Sequence, residues 1–157
     1  MVHAFIGAHA ALGELGAIGF LWVLIEILNP TPQRVRRAKI VALVSVILLL
    51  ASWLVGGWYY VNVYSLDVKP IIKEGPRPWA HFIFTETKEH VFMFLPFLAL
   101  LAYLIIARFE TQITKDKKLK NGLVWLCILI FLLAMARGIM GYIISSGARV
   151  ALEARVL

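Results

Sequence analysis

Residues 40–61 read IVALVSVILLLASWLVGGWYYV, and no charged side chain occurs from Ile40 to Leu66. A helix that crosses the hydrocarbon of a bilayer needs about 20 mostly apolar residues. Hydrocarbon offers no water to free N–H and C=O groups, so such a span folds as a helix. Three more segments qualify on either side: residues 5–28, 84–107 and 122–145. They carry charges that 40–61 lacks. Glu14 and Glu26 lie in the first, Glu86, Lys88 and Glu89 in the first turns of the third, and Arg137 in the fourth. The expected fold is all-α. It is an integral membrane, up-down-up-down four-helix bundle in which residues 1–157 form a single membrane domain.

Composition agrees. The chain is 61% hydrophobic and 16% charged, against about 45–50% and about 25% in soluble domains. So few polar residues exclude a disordered chain. A single cysteine, Cys127, excludes a disulfide scaffold. The net charge of +7 is concentrated between the apolar segments, the pattern that sets membrane orientation, so no nucleic-acid partner is expected. No Walker-type loop or dinucleotide fingerprint occurs. Cys127, in mid-span, reads as a small core residue rather than a nucleophile.

Breaks and charges orient the segments. Asn29-Pro30-Thr31-Pro32 ends the first helix, because proline lacks an N–H and biases its predecessor away from the helical region. Asn121-Gly122 separates a lysine run from the fourth span, and Gly75-Pro76-Arg77-Pro78 marks an irregular stretch in the long 62–83 connection. Pro96 falls inside the third span. Connection 29–39 carries Arg34, Arg36, Arg37 and Lys39, and connection 108–120 carries Arg108, Lys115, Lys117, Lys118 and Lys120. In 62–83, Lys69, Lys73 and Arg77 are offset by Asp67 and Glu74. The two basic loops are therefore expected in the cytoplasm and both termini outside. Trp53, Trp58, Tyr59, Tyr60, Tyr64 and Trp79 then form an outer aromatic belt. The first span lacks the basic n-region and short core of a cleaved signal peptide. The expected location is a prokaryotic plasma membrane, crossed several times.

Ionisable side chains inside spans are costly and start as functional hypotheses. Here they gather in the outer half. His3, His9 and Glu14 enter on helix 1, His81, Glu86, Glu89 and His90 on helix 3, and Arg137 lies in the outer half of helix 4. Helices 1 and 3 run the same way and are diagonal partners. His9 and His90 sit at matched depth, and Glu86 and His90, four apart, share a face. Two chemistries suit this arrangement. In the first, His9 and His90 ligate one b-type haem near the outer face, with Arg137 beside it. Glu86 accepts from the other ring nitrogen of His90. Gly13 and Gly16, with Gly19, Gly56, Gly57, Gly138 and Gly141, leave room for the macrocycle. In the second, His9, Glu14, Glu86, Glu89 and His90 hold a non-haem iron, copper or zinc ion. The Glu86–His90 spacing is one residue longer than the Glu-x-x-His of di-iron bundles, and the motif is not repeated.

A plainer reading stands beside these. Glycines at such spacing close-pack membrane helices. His3 and His81 are then interfacial side chains in contact with water, and Lys88 snorkels to the outer headgroups. Glu26 pairs with a loop lysine or arginine, and Glu14 with Arg137 forms a buried ion pair that sets helix register.

With four helices and histidines on the first and third, the chain resembles small membrane b-type cytochromes. It is also similar to the small four-helix membrane proteins that accompany haem-copper oxidases. The resemblance covers the whole chain in topology and rests on His9 and His90 as paired axial ligands. Multi-haem families place two histidines on each ligand helix. This chain has one, which implies a single haem serving electron transfer or quinol chemistry, with a quinone among its partners. A chain this short and apolar equally suits a structural or accessory subunit of a larger membrane complex, or a homo-oligomer.

The orientation is directly testable. With Cys127→Ala removing the one native thiol, Gln112→Cys is expected to escape an impermeant maleimide in intact cells. Labelling there overturns the orientation.

Overall fold

The computed structural model describes residues 2–156, apart from the side chains of Val2, His3, Val91, Phe92 and Val156. The expectation for His3 thus falls outside the described side chains. Helix α1 is Val2–Leu28 and α2 is Pro32–Tyr59. A π-helical segment, Tyr60–Val68, carries α2 without a break into α3, Lys69–Glu74. A second π-helical segment, Ala80–Thr85, opens α4, Glu86–Arg108. The short α5, Glu110–Ile113, precedes α6, Lys117–Val156. Four stretches are long and apolar enough to cross a membrane: Ala4–Leu28, Pro32–Glu74, Ala80–Arg108 and Lys117–Arg155.

All four spans were expected, but three are longer than their apolar runs, and caps explain two of the extensions. At α2, the Thr31 side chain accepts from the Arg34 amide at 3.2 Å, and Pro32 occupies the first turn, where its missing N–H costs nothing. The basic residues of 29–39 are therefore largely helical. At α6, Asp116 Oδ1 accepts from the amides of Lys118 at 2.8 Å and Leu119 at 3.1 Å. That cap starts the helix ahead of Asn121-Gly122, which lies inside α6 instead of breaking it. At the opposite end, nothing stops α2 before Gly75, so most of the expected 62–83 connection is helical and only 75–78 is irregular. α6 likewise runs past 145. The added lengths form a small second core, in which Tyr64, Ile72 and Ala80 pack with Ile144 and Ala148. Helix α4 passes through Pro96, as expected.

α1 packs on α2 and α6, and α4 packs on the same two helices, which leaves α1 and α4 on the diagonal. The start of α1, the end of α2, the start of α4 and the end of α6 meet at one end of the bundle, hereafter the far end. The basic loops lie at the other. The main core runs through Phe20, Val23 and Ile27 of α1, Ala38, Ala42 and Leu49 of α2, Leu95 and Ala99 of α4, and Ile130 of α6. Cys127 is fully buried among them, a core residue as expected. The outward faces are also apolar, with Leu54, Phe94, Trp125 and Leu132 exposed.

The α1–α2 contact is the most extensive, and small residues make it so. A Cβ on Gly16 would lie 2.8 Å from Leu49 Cγ and 3.3 Å from the Ser45 carbonyl oxygen. A Cβ on Gly19 would run into the Ser45 side chain. At the basic end the hairpin is clamped by Glu26. Its carboxylate accepts Arg34 Nε at 2.8 Å, Arg37 Nε at 2.9 Å, Arg37 Nη2 at 3.1 Å and Trp22 Nε1 at 3.2 Å. This is the expected pairing with loop arginines. Its charge-assisted bonds are stronger than neutral ones.

Helix approach at Gly16 is the basis of a stability prediction. Gly16→Val forces α1 and α2 apart and should cost about 1–3 kcal/mol, the usual range for overpacking. Gly57→Ala, which meets nothing within 4 Å, should not destabilise. Thermal unfolding in one detergent compares the two.

Candidate functional site

At the far end the four helices border an open-sided cavity of about 690 Å³, within the range of about 300–1,000 Å³ typical of ligand sites. Small residues hold it open. Among the described residues Gly57 has no neighbour where a Cβ would sit, and Gly141 meets only Lys88 Nζ, at 3.2 Å. Trp53, Tyr59, Val61, Ile144 and Leu152 supply apolar wall, while His9, Tyr60, Lys88 and Glu89 supply polar atoms.

His9 is locked to α2 by a reciprocal pair of bonds. Its Nδ1 donates to the Ser52 carbonyl oxygen at 2.8 Å, and Ser52 Oγ donates to the His9 carbonyl oxygen at 2.8 Å. The ring lies flat against Gly56, where a Cβ would be 2.5 Å from Nδ1. A carbonyl acceptor at Nδ1 puts the proton on that nitrogen. Nε2 is then the lone-pair atom, able to accept a hydrogen bond or ligate a metal. Across the bundle, on α4, Glu89 also lines the cavity. Its Oε1 is buried and has no hydrogen-bond partner among the described residues. A buried acceptor left so is costly; the Tyr60 hydroxyl interacts with the same carboxylate, and a ligand donor could satisfy the remaining oxygen.

A second cluster borders the cavity. Tyr64 and Thr85 both line it, and the Tyr64 hydroxyl lies 2.8 Å from Thr85 Oγ1 and 3.0 Å from His81 Nδ1. His81 Nε2 is 3.4 Å from Glu86 Oε1. His81 is 1% exposed and Tyr64 5%. Both were expected at a wet interface, and both are buried instead. The π-helical segments are the reason. A π turn brings residues five apart into register, and His81 and Glu86 are five apart. Sequence reading on a period of 3.6 puts them on different faces, so no helical-spacing signal finds this network.

The other expected site residues are distributed as follows. His90 is exposed on α4, is not among the described residues lining the cavity, and donates from Nδ1 to the Glu86 carbonyl oxygen at 2.7 Å. The Glu86 carboxylate, expected to orient His90, instead lies beside His81. Glu14 is exposed, and among the described residues no ion pair joins it to Arg137. Arg137 is 5% exposed and its guanidinium occupies the space over Gly13. Leu49 fills the space over Gly16. These two glycines therefore close-pack helices here and leave no opening for a macrocycle. Lys88, expected to snorkel, reaches across the cavity to Gly141. Among the described residues, no three His, Cys, Asp or Glu side chains converge as a metal site would require, so His9, Glu14, Glu86, Glu89 and His90 do not form one ligand set.

No protein-family model, curated protein or solved structure matches the chain.

The buried network makes a measurable stability claim. Tyr64→Phe strips His81 Nδ1 of its partner and should cost about 1–3 kcal/mol. The double variant Tyr64→Phe/His81→Phe should cost less than the sum of the singles, because it removes both polar groups. Additive losses would show that the hydroxyl and the ring do not depend on each other.

Proposed function

We propose that the chain is a multi-pass membrane protein whose far-end cavity, on the outer side of the bilayer, binds a lipid-soluble, ring-bearing redox carrier of the quinone class. The observation that carries this reading is the pairing of two acceptors in an apolar chamber. His9 Nε2 and Glu89 Oε1 come from diagonal helices, and the walls between them include Trp53, Tyr59 and Tyr60. A planar ring with hydroxyls at opposite edges, as in the hydroquinone form, can donate to both groups while its apolar faces meet aromatic side chains. The apolar outer surface supports delivery of such a carrier from the membrane, and the basic loops at the other end support the outer placement of the cavity.

Haem b is the second reading, and His9 supports it: an Nδ1 bonded to a carbonyl is how axial histidines are held. The residues fit a haem held by His9 alone, with the cations Lys88 and Arg149 lining the same cavity. They do not fit paired ligation, because His90 lies outside it. A bound haem would supply one-electron transfer.

Trp53 provides the test. Titrating the purified protein in detergent with a short-chain ubiquinol analogue should quench its fluorescence saturably. Trp53→Phe should remove most of that signal. His9→Ala should raise Kd about tenfold, the loss of roughly 1.4 kcal/mol. A Soret band in the purified protein that disappears in His9→Ala would install haem instead. Neither signal, together with co-purifying subunits, would leave the chain as an accessory subunit.

A further inference from the structure

The Tyr64–His81–Glu86 network has two open ends. Tyr64 and Thr85 line the cavity at one, and Glu86, with its side chain 46% exposed, reaches the surface at the other. Between them His81 has 1% exposure. A network built only for packing has no need to run from a cavity wall to an exposed carboxylate. This one also occupies both π-helical segments, Tyr64 in the first and His81 and Thr85 in the second, and π turns concentrate at functional sites. We infer that Tyr64, His81 and Glu86 form a proton path from the cavity to the protein surface, and that the cavity's ligand is taken in a hydroxyl-bearing, hydroquinone form. The inference about the ligand rests on the quinone reading above; the path itself does not.

One placement of the hydroxyl protons gives the path a direction. Thr85 Oγ1 lies 2.8 Å from the Tyr64 oxygen and also donates to the Ala80 carbonyl oxygen at 3.3 Å, and the path needs the Tyr64 hydroxyl to donate to His81 Nδ1, 3.0 Å away. The His81 proton then sits on Nε2, 3.4 Å from Glu86 Oε1. When a ligand hydroxyl gives its proton to the Tyr64 oxygen, Tyr64 passes its own to Nδ1. His81 releases the Nε2 proton to Glu86, and Glu86 releases it to water. One O–H bond breaks on the ligand, one proton reaches the surface, and every residue ends with the charge it began with, the His81 proton having moved from Nε2 to Nδ1. Among the described residues three charged groups act on His81. Glu86 lies on its exit side, and Lys69 and Lys73 of α3 act on it electrostatically, Lys73 being held over the Phe82 ring at 5.2 Å. On the α6 side, Gly147 packs against the neighbouring Ala80. The exit is therefore to the carboxylate and not toward the lysines.

The experiment uses 2-hydroxy-1,4-naphthoquinone, whose visible absorbance reports ionisation of its hydroxyl. Bound to the full-length protein and subjected to a pH jump, it should relax at least tenfold more slowly in His81→Phe and in Glu86→Gln than in the wild type, at unchanged Kd. Thr85→Val should relax within twofold of the wild type. Glu86 is half exposed, so Glu86→Gln keeps the test valid if His81→Phe fails to fold. Equal rates in Glu86→Gln and the wild type overturn the path. Failure of the wild type to bind the probe overturns the quinone reading. The path is then decided by NMR of ¹⁵N-histidine-labelled protein without ligand: water exchange of the His81 Nε2 proton should slow at least tenfold in Glu86→Gln, and an unchanged rate overturns it.

Discussion

A polar side chain buried among apolar helices has no water to turn to, so it must find its partner inside the bundle. The α1–α2 hairpin is organised by that constraint. His9 and Ser52 exchange hydrogen bonds at one end, Glu26 gathers Arg34 and Arg37 at the other, and Gly16 and Gly19 bring the backbones together between them. Pinned at both ends, the hairpin has one register. α4 and α6 then pack against a surface that is already defined. The lock on His9 presents its ring to the cavity, so the element that stabilises the hairpin also orients the chief polar group of the site.

The far end is built differently. There α2 does not finish where its apolar run does. It widens into a π-helical segment, and a second such segment opens α4. This departure from regular helix has two consequences. It aligns side chains five apart, which places His81 beside Glu86, while packing of the two segments brings Tyr64 beside both His81 and Thr85. Together with Gly57 and Gly141, it also leaves unfilled volume between helices that pack tightly elsewhere. Cavity and network are thus products of the same local geometry, which is why they share residues.

Much of the architecture is written in composition and periodicity. Apolar runs of spanning length dictate helices, because unbonded backbone groups are intolerable without water. Short connections dictate antiparallel neighbours. Basic loops dictate which ends belong together, and Glu26 beside an arginine-rich turn was legible as an ion pair. The helix starts at Thr31-Pro32 and Asp116 were legible too, but as capping chemistry and not as hydropathy, so reading the apolar run alone placed them too late.

The site was legible only in part. His9 stands out because an imidazole in an apolar helix needs a reason. Tyr64 and His81 do not, because near a helix end they read as ordinary interfacial residues. Matched depth suggested that His90 faces His9, yet depth says nothing about which way a residue points around its axis. Sequence by itself determined four long helices, their alternating order and the presence of costly polar groups at one end, because these follow from the solvation of backbone and side chains residue by residue. Tertiary structure alone decided which polar groups meet. That depends on helix rotation and on two π-helical segments, set by packing between residues as far apart as His9 and Ser52, or Tyr64 and His81, and no local period encodes such pairs.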